Sequence, residues 1–395
     1  MCGIAGIYRY DKAEKREALL QAIKLISHRG PDDLGYRHCH HVTFAHARLS
    51  IIDISGGAQP MSSGCGQVLI VFNGEIFNYR ELRKDLTGLG RTFNTASDTE
   101  VILAAYLEYG PRAFSLLNGQ FAFALYDLRE ASMYLVRDRM GEKPLYYSSI
   151  SQGVAFASEL KAVHSILKSC GVTPRLDRKA FYDFLSLNYV PGERSFIEQI
   201  RKVPPGHFLK IKEGSLSVNS YIDDANQLAS NLCFDDVLSA AVNRRTVSDV
   251  SLGLYLSGGV DSTAVAIALS EAGHDITCFV ADFHERGFSE AQNASYVAGR
   301  LGFRVQPVKI EIEKEDLTEL IEKLVWHADE PTADSSSLAV YLLSRETSKY
   351  IKVVISGDGG DELFGGYLTY PATMLAARIP AALKRFLYSC HRLVY

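Results

Sequence analysis

The sequence predicts two domains of different fold class: an N-terminal domain of antiparallel β-sheets with helices on their outer faces, and a C-terminal domain with a doubly wound parallel sheet. The length of 395 residues favours two domains over one. The first half carries short strand-like runs with one or two helical segments, and the second half alternates strands with helices. We place the domains at residues 2–212 and 230–395, because the stretch between 221 and 234 has the polar composition of a linker.

The strands of the first half are predicted from brief β-branched or aromatic runs bounded by Gly, Asp or Ser. These runs cover residues 4–8, 42–46, 67–72, 121–127 and 133–137. Helical apolar spacing marks residues 14–27 and 97–109. Ser97 is followed three residues later by Glu100, which predicts a capping box in which each side chain bonds the other residue's backbone N–H.

The second half alternates apolar strands with amphipathic helices. Strands are predicted at residues 250–256, 276–283, 305–310 and 352–356, and helices at 263–273, 289–302, 315–327 and 334–350. Ser289 and Gln292 are expected to begin the second of these helices and Gly302 to end it. Residues 380–394 predict a further helix with a core-facing apolar side, since Pro380 suits a first helical turn.

Composition and charge exclude several classes of protein. Apolar residues make up 47% and charged residues 22%, as in ordinary folded domains. A formal net charge of -4 argues against nucleic-acid binding, and no apolar stretch is long enough to span a bilayer. Seven cysteines without CxxC spacing indicate reduced thiols, and no secretion signal opens the chain. We therefore expect a cytoplasmic protein that acts on small molecules and has neither nucleic-acid nor membrane partners.

The N-terminus offers a nucleophile with its own base. Removal of Met1 would make Cys2 the first residue, with an α-amino group whose unperturbed pKa is about 8. That amine can accept the thiol proton and later deliver it to departing ammonia. Cys2 taken alone is a weak signal, because an incidental cysteine at this position is an equally good explanation.

A glycine-rich turn at residues 257–262 connects a predicted strand to a predicted helix. Gly258 and Gly259 let the backbone approach phosphate oxygens, Ser257 and Ser262 can donate hydrogen bonds, and the helix N-terminus adds positive potential. The Lys-Ser/Thr ending of a Walker A loop is absent, and a generic glycine turn is the alternative. A thiol that can release ammonia, together with a phosphate loop, suggests glutamine-dependent amide synthesis.

Five segments of the first half occur in a characteristic order, at residues 2–6, 28–32, 45–53, 72–78 and 97–100. Over about residues 2–210 this order resembles the class II glutamine amidotransferase domain, an N-terminal-nucleophile hydrolase with an αββα sandwich. The resemblance implies that Cys2 attacks the glutamine amide. It also implies that Asn73 and the backbone N–H of Gly74 form the oxyanion hole.

The same resemblance implies how the α-amino acid part of glutamine is bound. Arg48 would pair with the α-carboxylate, which suits a guanidinium fork, and Ile52 would lie in the same site. Glu75 and Asp98 would hold the α-ammonium group. Two alternatives stand beside these roles: Arg48 in an ordinary ion pair, and the Asn-Gly pair at 73–74 as a hairpin turn.

A second carboxylate-rich loop, residues 356–367, follows the last predicted strand. Loops that follow parallel strands meet at one edge of a sheet, so this loop and residues 257–262 should converge. The first loop resembles the signature of ATP pyrophosphatases, and with both loops present nearly all of residues 2–370 resemble the glutamine-hydrolysing asparagine synthetase family. This family is expected to have an adenine nucleotide α-hydrolase-like domain, with ATP as substrate and Mg²⁺ as metal ion.

The resemblance assigns residues to the nucleotide site. Those expected to contact ATP are Leu256, Ser257, Gly258, Gly259, Asp261, Ser262, Val280, Ser356 and Gly357. Asp261 and Asp361 would bind Mg²⁺, and Asp358 would act as acid or base when ammonia attacks the activated carboxylate. Residues 334–336 would shape the aspartyl-adenylate pocket. Residues 329–331 would either form its wall or cap the following helix.

Two departures from the family pattern are visible. Asp358 occupies a position where many relatives carry Glu, and the family's synthetase domain normally runs well beyond Tyr395, so that its pyrophosphate-contacting basic residue is outside these 395 residues. A histidine cluster also occurs at residues 38, 40 and 41, with a cysteine at 39. Neighbouring strand residues point to opposite faces, which argues against one shared metal ion.

The expected reaction converts ATP, L-aspartate and L-glutamine to L-asparagine, AMP, pyrophosphate and L-glutamate, with ammonia travelling internally from Cys2 to an adenylate held near Asp358. Three alternatives remain open: the same machinery acting on a sugar or secondary-metabolite acceptor, a binding protein that only retains the folds, and a sugar-isomerising amidotransferase. The last would have no use for residues 257–262. A homodimer is implied by the resemblance alone.

Overall fold

The computed structural model describes residues 1–222, 233–283 and 290–385. The chain forms two compact units. The first comprises Met1–Phe234, Arg244–Ser251 and Ile312–Ser348, and the second Asp235–Asn243, Leu252–Glu311 and Lys349–Tyr395. Ser289, most of the predicted linker and most of the predicted helix at 380–394 lie outside the described residues.

Two six-stranded antiparallel sheets form the centre of the first unit. The strands of one sheet, in spatial order, are β10 (Arg201–Lys202), β8 (Tyr146–Ile150), β9 (Gly153–Ala157), β1 (Gly3–Arg9), β3 (Val42–Arg48) and β2 (Asp33–Cys39). Those of the other are β12 (Ser215–Ser220), β11 (His207–Lys212), β7 (Ser132–Arg137), β6 (Gly119–Asp127), β5 (Val68–Ile76) and β4 (Met61–Ser62).

The side chains of β5 show why the sheets stack. Leu69 and Val71 pack into the core between the sheets, whereas Val68, Ile70 and Phe72 pack on the opposite face against a helical layer. Both faces of this strand are buried, so its apolar run is continuous rather than alternating with polar residues. The outcome is a four-layer αββα sandwich, which confirms the fold class predicted for the N-terminal half.

Helices cover the outer faces of the two sheets. They are α1 (Arg16–Leu25) and α4 (Leu160–Ser169) on one side, and α2 (Tyr79–Gly88) and α3 (Asp98–Tyr109) on the other. The helix α5 (Arg178–Leu187) follows, and short 3₁₀ turns occupy Ser27–Arg29, Gly110–Leu116 and Ile312–Lys314. The prediction of one or two helices in this half was too low, because α2, α4 and α5 are helices as well. Each is ten residues long, which is shorter than the window over which a helical apolar period is clear.

The start of α3 differs from the predicted capping box. Ser97 caps the helix, but its hydroxyl accepts from the N–H of Thr99, at 3.1 Å, and not from that of Glu100. The Glu100 carboxylate instead accepts from the backbone N–H groups of Asn94 and Thr95 in the preceding loop. The predicted box was wrong because the loop folds back over the helix and offers Glu100 closer donors than Ser97 does.

The second unit contains a four-stranded parallel sheet, which confirms the predicted fold class of the C-terminal half. Its strands, in spatial order, are β15 (Arg304–Ile310), β14 (Thr277–Phe283), β13 (Leu252–Tyr255) and β16 (Val353–Ile355). The helices are α6 (Phe234–Arg244), α7 (Val260–Glu271), α8 (Ala291–Leu301), α11 (Gly360–Phe364) and α12 (Thr369–Ala377). The helices α9 (Leu317–Ala328) and α10 (Ser336–Thr347) belong to the first unit.

Two helix starts in the second unit differ from the prediction. The helix α7 begins at Val260 rather than 263, which places Asp261 and Ser262 in its first turn. The helix α8 begins at Ala291 after Glu290, whose side chain makes no capping bond, and it ends as predicted at Gly302 in the left-handed conformation, with φ 76°. Within the described residues, no helix is both long and apolar enough to cross a membrane.

Candidate functional sites

A cleft in the first unit surrounds Cys2, directly before strand β1. It encloses about 560 Å³, counting the space open to solvent. The thiol lies against Leu49, whose backbone N–H is 3.4 Å from Sγ, and burial raises the pKa of the Cys2 thiol. Met1 also lines the cleft, and its α-amine has a pKa lowered to about 6, mainly by burial. A thiol with a raised pKa needs a neighbouring base, and an amine with a lowered pKa is neutral at pH 7.

Asn73 and Gly74 lie in the same cleft, within strand β5. Asn73 is completely buried, yet neither Nδ2 nor Oδ1 of its side chain has a hydrogen-bond partner among the described residues. Gly74 has φ 152°, and a Cβ there would meet the carbonyl oxygen of Gln120 at 2.1 Å. Both residues pair with β6, opposite Ala122 and Phe121, so the alternative of a hairpin turn was wrong.

Arg48 ends strand β3 and lines the cleft. Its guanidinium donates to the carbonyl oxygens of Ile54, at 3.0 Å, and Asp53, at 2.7 Å. No carboxylate in the part of the chain that the structure describes forms an ion pair with it, so the ion-pair alternative was wrong. These two bonds use two of its five N–H donors. Ile52 lines the cleft between Arg48 and the outer helical layer.

Two carboxylates face the same cleft and perturb one another. Burial raises the pKa of Asp98 to about 7, and the charge of Glu75 adds to that rise. Burial also raises the pKa of Glu75, which Lys143 partly opposes. Asp98 Oδ2 accepts from the backbone N–H of Ile76, at 3.1 Å. Two desolvated acids at one place in a cleft favour a cationic ligand, whose charge would offset their repulsion.

Sequence reasoning missed Lys143 and Gln120, which also line the cleft. Lys143 is largely buried, burial lowers its pKa, and its Nζ donates to Gln120 Oε1 at 2.8 Å. The loop that carries Lys143 is organised by Asp138, whose carboxylate accepts from the backbone N–H groups of Glu142 and Lys143. An acidic residue directly before a glycine-containing turn is the only sequence signal that pointed to this loop.

Arg29 was also given no role from sequence, although it lies in one of the five ordered segments. Its Nε donates to the backbone carbonyl of Cys2, at 3.1 Å, and its Nη1 donates to Glu159 Oε1, at 2.8 Å. Glu159 is nearly inaccessible and also bonds His28 Nε2, at 2.9 Å. This buried ion network holds the backbone of the nucleophile in place.

The phosphate-loop candidate lies in the second unit, between β13 and α7. The hydroxyls of Ser257 and Ser262 are 2.9 Å apart, and the backbone N–H of Gly259 donates to Ser257 Oγ at 3.2 Å. Gly258 has φ 80°, and a Cβ there would lie 2.8 Å from the backbone nitrogen of Ala294. The turn is therefore closed by its own serines and packed against α8.

The two loops of the second unit converge as predicted. Strands β13 and β16 are parallel neighbours, with Leu254 opposite Ile355. A Cβ on Gly357 would lie 2.9 Å from the backbone nitrogen of Ser262, and one on Gly360 would lie 2.6 Å from the carboxylate of Asp261. Only glycines allow this approach, because any side chain would push the loops apart.

The remaining nucleotide-site candidates fall into two groups. Asp361 lies in the first turn of α11, and Asp358 is exposed and accepts from Ser356 Oγ at 2.9 Å. Leu256 and Val280 are buried in the apolar core, which leaves only their backbone to contact a nucleotide.

Residues 329–336 lie in the first unit, whereas the two loops lie in the second. Asp334, not Asp329, bonds the start of α10, by accepting from the N–H of Ser336 at 2.9 Å. Asp329 accepts from the backbone N–H groups of Leu160 and Lys161 at the start of α4. The proposal that residues 329–331 cap the following helix was therefore wrong, because their carboxylate is bound to another helix.

The histidine cluster has partners of its own. His38 Nδ1 is 3.0 Å from Thr43 Oγ1, and His41 Nδ1 is 2.8 Å from the carbonyl of Arg9. Across residues 1–222, 233–283 and 290–385, no group of three or more His, Cys, Asp or Glu side chains is arranged to hold a metal ion.

Both halves of the chain match models of known protein families. Family models describe a glutamine amidotransferase domain at residues 1–222 and asparagine synthase at residues 234–392. The glutamine-hydrolyzing asparagine synthetase 1 of Bacillus subtilis is 36% identical over 98% of this chain. The chain belongs to the glutamine-hydrolysing asparagine synthetase family.

Other members of the family match over similar lengths. A putative asparagine synthetase of Mycobacterium tuberculosis is 34% identical over 98% of this chain, and one of Methanocaldococcus jannaschii is 32% identical over 94%. The chain spans 62% of the length of the Bacillus and Mycobacterium relatives and 76% of that of the Methanocaldococcus relative.

Solved structures were also compared. The glutamine phosphoribosylpyrophosphate amidotransferase of Bacillus subtilis, complexed with ADP and GMP, is 18% identical with a TM-score of 0.42, over 78% of this chain and 66% of that one.

Proposed function

We propose that the protein is a glutamine-dependent asparagine synthetase, which converts ATP, L-aspartate and L-glutamine to L-asparagine, AMP, pyrophosphate and L-glutamate. The observation that carries this proposal is the buried amide of Asn73 in the cleft of Cys2, which has no hydrogen-bond partner in the described part of the chain. Burying a polar group without a partner is unfavourable, so such a group is expected where a ligand supplies the partner. The names of the relatives support the same activity.

In the proposed glutaminase step, Cys2 Sγ attacks the side-chain amide carbon of glutamine. After removal of Met1, the α-amine of Cys2 accepts the thiol proton and then passes it to the departing ammonia. The low pKa of the buried amine of Met1 supports this role, since burial at the same place would keep the amine neutral. Nδ2 of Asn73 and the N–H of Gly74 would stabilise the oxyanion, and water would then release glutamate.

Arg48, Glu75 and Asp98 are proposed to select the α-amino acid end of glutamine. Arg48 brings donors that no described carboxylate occupies, and the two carboxylates bring a site for a cation. A ligand with one carboxylate and one ammonium group would satisfy both ends. Ile52 would close the cleft from the side.

In the second unit, the proposed substrate is ATP, held by the two converging loops. Ser257, Ser262 and the backbone of the first loop would bind phosphate oxygens. Leu256, directly after β13, and Val280, within β14, would contact adenine through their backbone. Ser356 and Gly357 belong to the opposite loop. Asp358 is exposed beside Ser356, which supports a role near a bound substrate in the attack of ammonia on the adenylated carboxylate.

Mg²⁺ is proposed at Asp261 and Asp361. The glycine cradle supports this, because Gly360 and Gly366 leave space against the Asp261 and Asp361 carboxylates that a Cβ would fill. Oxygen ligands are what Mg²⁺ prefers, and it usually combines one or two carboxylates with phosphate oxygens and water. When bound, the ion would neutralise charge on the phosphates.

Aspartate as the acceptor of ammonia is the most specific part of the proposal. The alternative acceptor is another carboxylate, such as a sugar or secondary-metabolite acid. We further propose functional domains at residues 2–212 and 230–395, a homodimer, and a cytoplasmic location.

Product analysis of the full-length protein tests the proposal. Glutamine, MgATP and aspartate should yield asparagine together with AMP and pyrophosphate. Cys2→Ala should lose the glutamine-dependent reaction and keep the ammonia-dependent one. Release of glutamate without asparagine or AMP would mean that the glutaminase half works and that either aspartate is the wrong acceptor or the synthetase half is inert. Release of neither product would overturn the proposal.

A further inference from the structure

Asp53 accepts several hydrogen bonds in the loop between β3 and β4. Its carboxylate accepts from the backbone N–H groups of Gly56, at 2.8 Å, and Ala96, at 2.7 Å. Its carbonyl oxygen accepts from Arg48 Nη2, at 2.7 Å, and from the N–H of Gly57, at 2.9 Å. Asp53 has φ 46°, in the left-handed region that is uncommon for residues with a side chain, although Asp enters it more readily than most.

The bonds of Asp53 reach both ends of the proposed glutamine site. Its carbonyl oxygen holds the guanidinium of Arg48, the proposed partner of the α-carboxylate. Its side chain holds Ala96, which lies two residues before Asp98, a proposed partner of the α-ammonium group. The position of Asp53 therefore sets the spacing between the Arg48 guanidinium and the Asp98 carboxylate, which would bind the two charged groups of the α-amino acid.

Asp249 bonds the loop that contains Asp53 from outside the cleft. Its Oδ2 accepts from the backbone N–H of Asp53, at 2.8 Å, and its own backbone N–H donates to the carbonyl of Ile51, at 3.1 Å. The two bonds clamp the loop on either side of Ile52. Asp249 belongs to the segment Arg244–Ser251 of the same unit and does not line the cleft.

We propose that Asp249 is a positioning residue for glutamine recognition, which acts through Asp53 to keep Arg48 and Asp98 at the spacing of an α-amino acid. The inference rests on the proposed glutaminase function. Without the Asp249 carboxylate, the Asp53 N–H loses its acceptor and the left-handed turn loses one of its restraints. The loop would then present Arg48 less often in the binding geometry, which weakens binding without touching the chemical step.

Two substitutions of Asp249 separate positioning from general damage. Asp249→Ala should raise the KM for glutamine about tenfold, or about 1.4 kcal/mol of binding, and leave kcat within about twofold. Asp249→Asn should restore most of the loss, because its amide oxygen can still accept from Asp53. Ser248→Ala is the matched control, since the Ser248 hydroxyl bonds the backbone of Val250 in the same segment, at 3.1 Å to the N–H, and no other group among the described residues.

A second substrate makes the assignment specific. Hydrolysis of 4-aminobutanamide, which is glutamine without its α-carboxylate, does not use Arg48 but keeps the ammonium group for Asp98, so Asp249→Ala should affect it clearly less than glutamine. In an Arg48→Ala background, Asp249→Ala should add little further loss for glutamine, since the two changes act on one contact.

The outcomes are distinguishable. Equal loss with both substrates, or a KM for Asp249→Ala equal to that of Ser248→Ala, would overturn the inference while leaving the proposed function intact. Calorimetry with glutamine on Cys2→Ala protein, with and without Asp249→Ala, measures the binding change directly. If the wild-type protein does not hydrolyse glutamine and the Cys2→Ala variant does not bind glutamine, the proposed function and the inference both fail.

Discussion

Asp329 and Lys161 are joined twice through one oxygen: Oδ1 of Asp329 accepts from the backbone N–H of Lys161, at 3.0 Å, and lies 3.3 Å from its Nζ. Asp329 also accepts from the N–H of Leu160, the first residue of α4. A carboxylate at the end of α9 thus caps a helix far away in sequence. Glu159, at the N-cap position of α4, makes no capping bond, because its side chain is bound to Arg29 and His28.

Asp329→Ala should destabilise the first unit by about 1–2 kcal/mol, because the N–H groups at the start of α4 lose their acceptor and Lys161 loses one partner. Urea unfolding measures the change. Asp334→Ala is the comparison: it removes an exposed, local carboxylate at the start of α10, so it should cost less than removal of the largely buried Asp329 side chain. A free energy of unfolding equal to that of the wild type would contradict the capping role.

Asn73→Ala should lower glutaminase kcat by about 10²–10³-fold, the usual effect of losing one oxyanion-hole donor. Its melting temperature should stay unchanged or rise slightly, because the removed amide has no hydrogen-bond partner among the residues that the structure describes. Asn78→Ala is the matched control: its amide donates to the carbonyl of Leu116, at 3.0 Å, so stability should fall while kcat is kept. The reverse pattern would mean that Asn73 is structural.

Glutamine recognition should weaken as the pH falls through about 7. The pKa of Asp98 is raised to about 7, so below that pH its carboxyl is neutral and attracts an ammonium group less. We expect kcat/KM for glutamine to fall by up to about tenfold per pH unit in this range. Asp98→Asn should have a low kcat/KM at high pH and lack this part of the pH profile. An unchanged profile in the variant would assign the titration to another group, such as the α-amine.

Gly360→Ala should weaken MgATP binding at least about tenfold without changing glutaminase activity. The added Cβ would lie 2.6 Å from the Asp261 carboxylate and would force that side chain away from the loop. Gly299→Ala is the control, because Gly299 lies on α8 with nothing near its Cβ and should if anything stabilise the helix by about 0.5–1 kcal/mol. Calorimetry with MgATP compares the two, and equal affinities would separate Gly360 from the nucleotide site.

The sequence alone determined the fold class of both halves and the order of the chemical motifs. Local patterns were sufficient where they coincide with burial, as in β5, whose run of apolar residues packs on both faces. They were sufficient for the two glycine loops as well, because adjacent parallel strands bring their following loops together. The ten-residue helices α2, α4 and α5 were missed, since a segment that short gives too few turns for its helical apolar period to stand out.

Tertiary structure decided which donors and acceptors meet. Glu100 bonds the preceding loop rather than Ser97, Asp329 caps α4 rather than α10, and Asp249 reaches Asp53 across 196 positions of sequence. The amide of Asn73 could be named from sequence, but only the folded chain shows it buried and unpartnered. A sequence pattern records which groups need partners and which faces need burial. The choice among competing partners depends on distances that only the packed chain sets.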